Sequence, residues 1–225
     1  MSASTEAPPA DPPPSAASPD AAAAVAAAPA PGSAPKVSAL VPVWNAAEFV
    51  TATLDSLAAQ TWPNLEIVIG DDASNDGRTP DLLRRWAEGR DGVVRILRER
   101  NLGWVGNYND LVERASGDFV FFMGHDDLVA PDYVERLMAA RQAAPDAALV
   151  YSDYAPPEAQ EERPSLLRWP PEEIRADPFD QVLAAIRRRN GSCVPNKGLI
   201  PTELHRRIGG LRRHAGGDFQ ADWPL

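Results

Sequence analysis

Short, wholly apolar runs alternate along the middle of the chain with segments whose apolar residues recur every three or four positions. Val37, Ala39, Leu40, Val41 and Val43 form the first run, the signature of a strand covered on both faces, and it ends at Trp44. Asn45 then stands where a helix N-cap is expected, with Glu48 completing a capping box. Val50, Leu54 and Leu57 carry the helical spacing to about Gln60. Residues 65–70 (LEIVIG) predict a second strand and residues 71–77 a polar loop. Thr79-Pro80 opens a helix with Leu82, Leu83 and Trp86 on its apolar face. A third strand is expected at 93–97, a helix through Leu111 and Val112, and a fourth strand at 119–123. Pro131 starts a helix with Tyr133, Val134, Leu137 and Met138 inward, and 148–151 reads as a fifth strand. Strands joined by helices of this length need right-handed crossovers. Residues 36–154 therefore predict an α/β fold, a mostly parallel central sheet with helices on both faces.

The flanks differ. Residues 1–35 hold 14 Ala and 9 Pro with Glu6, Asp11 and Asp20 and no Lys or Arg. Such a segment buries too little apolar surface to offset the entropy of ordering, so a disordered tail is expected. Residues 156–178 dissolve into Pro, Glu and Arg, a helix resumes at about 179–188, and 191–225 has no clear period. Residues 155–225 are thus read as a connection followed by a short further region.

Charge and cysteine content narrow the function classes. The net charge is −10, of which the tail takes −3, leaving −7 from 22 basic and 29 acidic residues. That balance argues against a nonspecific nucleic-acid binder relying on a broad basic surface, and leaves only a local basic groove for such a role. No stretch approaches the roughly 18–20 apolar residues that span a bilayer, and the N-terminus lacks the basic start and leucine-rich stretch of a secretory signal. With the single Cys193, a cytoplasmic location is expected.

In parallel sheets ligands bind beyond the carboxyl ends of the strands, and there the sequence concentrates its polar groups: residues 42–45, 71–76 and 125–127. Asp126 and Asp127 are costly side by side unless a positive charge compensates them, and oxygen ligands of this kind suit Mg2+ or Mn2+ completed by substrate phosphates. Taken alone, the pair better suits a cap on the helix near Pro131, and Asp71 and Asp72 better suit a surface loop. Neither GxxxxGK[ST] nor GxGxxG occurs, so a diphosphate has no glycine-rich cradle.

The order of the clusters resembles the family 2 glycosyltransferases with the GT-A (Rossmann-like) fold. VSALVPVWNAAEFVTATLDSLAAQTWPNLEIVIGDDASNDG is similar to that family's first strand, helix, second strand and aspartate loop. NLGWVGNYNDLVERASGDFVFFMGHDDLVAPDYVERL resembles its second signature, and together they cover most of residues 37–140. The resemblance implies a metal-dependent inverting transfer of a sugar from a UDP- or dTDP-linked donor to a glycan, lipid-linked or protein acceptor, as in cell-surface polysaccharide biosynthesis. It implies that Pro42, Val43 and Trp44 line the nucleotide pocket, that Asp72 accepts a hydrogen bond from the base, and that Asp71 supports the loop. Asp126 and Asp127 stand at the family's DxD-type motif. There Asp127 is the expected ligand to Mn2+ or Mg2+, and Asp126 a contact to the donor ribose or sugar and a second metal ligand. His125 replaces the commoner aspartate. GGDFQADW near the C-terminus resembles the family's acidic segment, which makes Asp222 the candidate general base, with Asp218 in reserve and Ala221 in place of the usual glutamate.

Family members usually continue past this segment, whereas the sequence stops at Leu225, so the resemblance implies that residues 155–225 are a connection and a partial acceptor-binding and catalytic-base region. A truncated or noncatalytic nucleotide-sugar-binding or scaffolding protein of the same fold is therefore the alternative. A phosphoacceptor of the response-regulator kind is disfavoured, because no Lys lies between Lys36 and Lys197. The arginines at 187–189, 206, 207, 212 and 213 leave peripheral contact with an inner membrane surface open.

Overall fold

The computed structural model describes residues 34–152 and 197–212. Residues 1–33 of the expected tail, the helix at 179–188, Cys193, Asp218 and Asp222 lie outside those residues. Among the described residues five strands form one sheet in the order β3-β2-β1-β4-β5: β1 (Val37–Val43), β2 (Leu65–Asp71), β3 (Val93–Leu97), β4 (Phe119–Phe122) and β5 (Ile200–Pro201). The first four are parallel, and β5 runs antiparallel along β4. The helices among the described residues are α1 (Val50–Ala58), α2 (Thr79–Ala87), α3 (Gly103–Arg114), α4 (Tyr133–Ala143) and α5 (Thr202–Arg207).

Every residue of β1 is buried, as its unbroken apolar run requires, and its alternation sorts two cores. Val37, Ala39, Val41 and Val43 meet α1, α2 and α4 through Leu54, Leu57, Leu83, Val134 and Met138. Leu40 faces the other way, with Val68 and Val120 under Tyr108, Leu111 and Val112 of α3. Burial raises the Tyr108 hydroxyl well above its ordinary pKa, and the hydroxyl pairs with His205 Nε2 at 3.0 Å, fixing α5 on α3. At the amino ends of the strands, the buried Glu66 carboxylate gathers Ser38, Ser116 and Lys36. Desolvation opposes its ionisation, but these bonds together hold it below the usual carboxylate range.

Three expectations are corrected. Asn45 does not cap α1, which begins at Val50 without a side-chain cap; its amide is taken up by Asn75 instead. Residues 148–151 do not form a strand of the parallel set. Val150 makes a single antiparallel bridge to Leu199, and the fifth strand is β5, because the chain returns along β4 in the opposite sense. Nor do Asp126 and Asp127 cap α4, since the helix starts at Tyr133 with Asp132 before it. The packed region also begins slightly early: Ala34 is buried, and the Pro35 carbonyl accepts the Trp62 indole N–H at 3.0 Å.

Candidate functional site

The strand order reverses beside β1, and a crevice opens where β1 and β4 part. Met123 N–H donates to the Leu40 carbonyl, so the even-numbered residues of β1 turn their backbone groups toward β4. Pro42 is the next even residue, beyond the last pair of the ladder, Leu40 with Phe122. Its missing N–H falls where no β4 partner exists, which is how a proline is accommodated in a central strand. A cleft of about 920 Å3 occupies this place, walled by Pro42, Val43, Trp44, Trp104 and Phe122 and edged by Asp72, Asp126, Asp127 and Lys197. Trp44 is 51% exposed within it.

The wall is held by bonds between loops. Asn45 sits at φ 50° and Ala73 at φ 58°, a left-handed conformation that asparagine tolerates but that alanine adopts only when its surroundings impose it. Asn45 Oδ1 accepts Asn75 N–H at 2.8 Å, and its Nδ2 donates to Asn75 Oδ1 at 2.9 Å. Asn45 N–H donates to Ser74 Oγ, which in turn donates to Asp71. Desolvation raises the Asp71 carboxyl above its ordinary value despite the Ser74 bonds, with Asp76 and Asp72 adding repulsion. Asp76 anchors the start of α2 by accepting from Arg78 N, Thr79 N and Thr79 Oγ1. Desolvation works against its ionisation, yet those bonds bring its carboxyl down to about 2.

Asp72 is buried at 2% exposure, at the cleft edge. The Asn-Leu-Gly turn wraps it: Asn101 Nδ2 donates to the Asp72 carbonyl at 2.9 Å, and Leu102 N–H to Asp72 Oδ1 at 2.8 Å. Gly103 closes the turn at φ 74°. Arg98 Nε lies 3.9 Å from the same Oδ1. Its guanidinium is itself fixed by Asn107 Oδ1 and Asp110 Oδ2, and Asn107 Nδ2 donates to the Gly70 carbonyl at 2.7 Å. A buried carboxylate is thus compensated from behind and held in place on one oxygen.

Across the cleft, β4 delivers residues 124–127. Thr53 Oγ1 of α1 donates to the His125 carbonyl at 2.8 Å. A Cβ on Gly124 would collide with Asp127 Oδ2 and lie 3.1 Å from Asp126 Oδ1, so both carboxylates lean over the same small residue. Among the described residues no group of three or more His, Cys, Asp or Glu could hold a metal ion. What the site offers a cation is this pair of oxygens, a set that suits Mg2+ or Mn2+ when phosphate oxygens and water supply the remaining positions. Asp127 also pairs with the Lys197 ammonium.

Pro42, Val43, Trp44, Asp72, Asp126 and Asp127 therefore converge on one cleft, while Asp71 lies behind it. Sequence reading did not single out Arg98, Asn101, Trp104, Asn107 or Lys197. For Asn101 and Gly103 the Asn-x-Gly turn was a usable signal; for Arg98 and Lys197 there was none, because their partners are distant in sequence.

The family model described as glycosyl transferase family 2 matches residues 38–190. EpsH of Bacillus subtilis (strain 168) is 36% identical over 121 residues, covering 54% of this chain and 34% of EpsH. Among solved structures, the mannosyltransferase PcManGT from Pyrobaculum calidifontis, in complex with GDP-Man and Mn2+, superposes with a TM-score of 0.60 at 25% identity, covering 85% of this chain and 51% of that one. S. aureus TarS 1–349 in complex with UDP-GlcNAc does so with a TM-score of 0.58 at 19% identity, covering 83% and 52%. The chain thus spans about a third of EpsH and about half of each solved chain.

Proposed function

The chain belongs to glycosyl transferase family 2, and from that premise we propose that its cleft takes a UDP- or dTDP-linked sugar and passes the sugar, with inversion, to a glycan, lipid-linked or protein acceptor. The observation that carries this reading is one cleft with a buried carboxylate beside an aromatic wall and a carboxylate pair on its opposite edge. Uracil and thymine both present an imide N–H, and Asp72 accepts it while Pro42, Val43 and Trp44 cover the base and ribose. Asp126 takes ribose or sugar hydroxyls, and Asp127 with Asp126 holds Mn2+ or Mg2+. The cation, when bound, supplies Lewis-acid neutralisation of the charge that grows on the leaving diphosphate.

The acceptor hydroxyl attacks the sugar C1 from the face opposite the diphosphate. Asp222, with Asp218 in reserve, takes the hydroxyl proton as general base, the new C–O bond forms as the C1–O bond to phosphate breaks, and the nucleoside diphosphate leaves with the bonding pair. The nucleotide sugars held by PcManGT and TarS support a nucleotide-sugar ligand for this fold. We further propose that the reaction runs on the cytoplasmic side, with lipid-linked acceptors met at the membrane surface. No helix among the described residues is long and apolar enough to cross a membrane.

Calorimetric titration of UDP and dTDP, with Mn2+, Mg2+ or EDTA, tests the donor site. Binding should require metal and vanish in Asp127→Ala; binding of neither nucleotide under any condition rejects the assignment. Metal-dependent binding without turnover of any nucleotide sugar across a panel of donors and acceptors would move the conclusion to a noncatalytic binding protein.

A further inference from the structure

The chain carries two lysines. Lys36 closes the far end of the sheet on Glu66, whereas Lys197 reaches the cleft and pairs with Asp127 Oδ2 across 70 residues of sequence. It is anchored from behind. The Tyr133 hydroxyl donates to the Lys197 carbonyl at 2.8 Å, and the Tyr133 ring packs against Phe121 of β4 with centroids 5.7 Å apart. Two residues on, the fully buried Leu199 exchanges both backbone hydrogen bonds with Val150, at 3.1 and 2.7 Å. The Lys197 and Asp127 side chains remain 23% and 34% exposed. The pair is therefore fixed in position yet open to the cleft.

Asp127 Oδ2 is also the oxygen that leans over Gly124 beside Asp126 Oδ1. An ammonium and a divalent cation that both seek this oxygen repel each other, and the ammonium must move when the ion takes its place. The phosphate oxygens that arrive with the ion are the natural acceptors for a displaced ammonium, since a charge-assisted N–H···O bond replaces the one given up. We infer that Lys197 is a tethered cation which pairs with Asp127 in the donor-free protein and transfers to the donor diphosphate when metal and nucleotide bind, so that the metal binds weakly alone and tightly with nucleotide. The inference rests on the donor-site reading and adds to it a positioning residue for the diphosphate.

The test is a pair of titrations on the full chain, Mn2+ alone and UDP in saturating Mn2+, for wild type and Lys197→Met. Removing the competing ammonium should tighten Mn2+ alone about fivefold, the factor equivalent to roughly 1 kcal/mol for a part-exposed ion pair. Removing the diphosphate partner should weaken UDP at least about tenfold, as for a lost hydrogen bond to a charged group. The two effects have opposite signs, whereas damage to the site weakens both. Tyr133→Phe keeps the lysine but loosens its anchor, and should move both constants the same ways by smaller factors; it carries the test if Lys197→Met does not fold. Mn2+ affinity unchanged within twofold, or weakened, overturns the inference while leaving the donor site standing if wild type still binds UDP with Mn2+. If wild type binds neither, both readings fall.

Discussion

Asp72 offers the sharpest separation between a nucleotide pocket and a loop that merely looks like one. Asp72→Asn keeps the shape of the side chain and keeps Oδ1 as acceptor for Leu102 N–H, which lies 2.8 Å away. It changes the second oxygen into an NH2 donor and removes the charge. Leu102 N–H and Arg98 both approach Oδ1, so Oδ2 is the atom assigned to the base. An imide N–H of uracil or thymine would then meet a donor. Losing a hydrogen bond to a charged acceptor costs about 1.5–3 kcal/mol, which is roughly a ten- to 150-fold loss of affinity at about 1.4 kcal/mol per tenfold.

Cytosine reverses the chemistry at the same edge, because its N3 is an acceptor and pairs with an NH2. The variant should therefore lose UDP and gain CDP, and the ratio of the two affinities should collapse. Calorimetry with UDP and CDP in saturating Mn2+ reads the ratio, and a urea unfolding curve checks the fold. That fold should survive, since Arg98 keeps Asn107 Oδ1 and has Asp110 Oδ2 at 2.6 Å. A folded Asp72→Asn protein that binds UDP within threefold of wild type, with the UDP-to-CDP ratio unchanged, refutes the role given to this carboxylate.

Gly70→Ala probes the support behind Asp72. Its Cβ would press on Asn107 Oδ1 and lie 2.8 Å from Leu111 Cδ2, an overpacking that costs about 1–3 kcal/mol, read as a lower urea midpoint; an unchanged midpoint would show that α3 yields freely. Asp76→Ala removes the acceptor of three hydrogen bonds at the start of α2 and should cost about 1–2 kcal/mol at neutral pH. The Asp76 carboxyl falls from an ordinary 3.8 to about 2 on folding, so its contribution is complete above about pH 4 and is lost as the pH falls through 2. Wild type and variant should therefore converge in stability between pH 4 and 2, and parallel curves across that window would remove the assigned cause.

The parts of this molecule that were legible in sequence are those whose determinants are local. β3 falls at Val93–Leu97 as its apolar run predicts, and Thr79-Pro80 opens α2 because a proline in the first turn sacrifices no hydrogen bond. β1 is buried along its whole length because strands lie on either side of it and helices on both faces, and its seven-residue run already required that. Asn45 illustrates the limit. Its sequence context fits a cap, but the cap competes with Asn75, 30 residues away, and the reciprocal amide bonds win. Residues 148–151 fail for a related reason: their apolar run is real, yet direction in a sheet is set by where the chain returns, and Leu199 returns antiparallel.

The site divides along the same line. Aspartates at strand ends can be read from position, because a parallel sheet gathers its carboxyl ends along one edge. The cations that make those carboxylates tolerable cannot, because a charge compensates by distance in space. Arg98 reaches Asp72 through the turn after β3, and Lys197 reaches Asp127 across 70 residues. A reading that finds only the acidic half of such a site leaves its charge unbalanced and assigns the whole deficit to an external metal. Supplying the protein's own cation sharpens the expectation of a metal completed by substrate phosphates: on the inference drawn above, metal and diphosphate arrive together and displace a lysine.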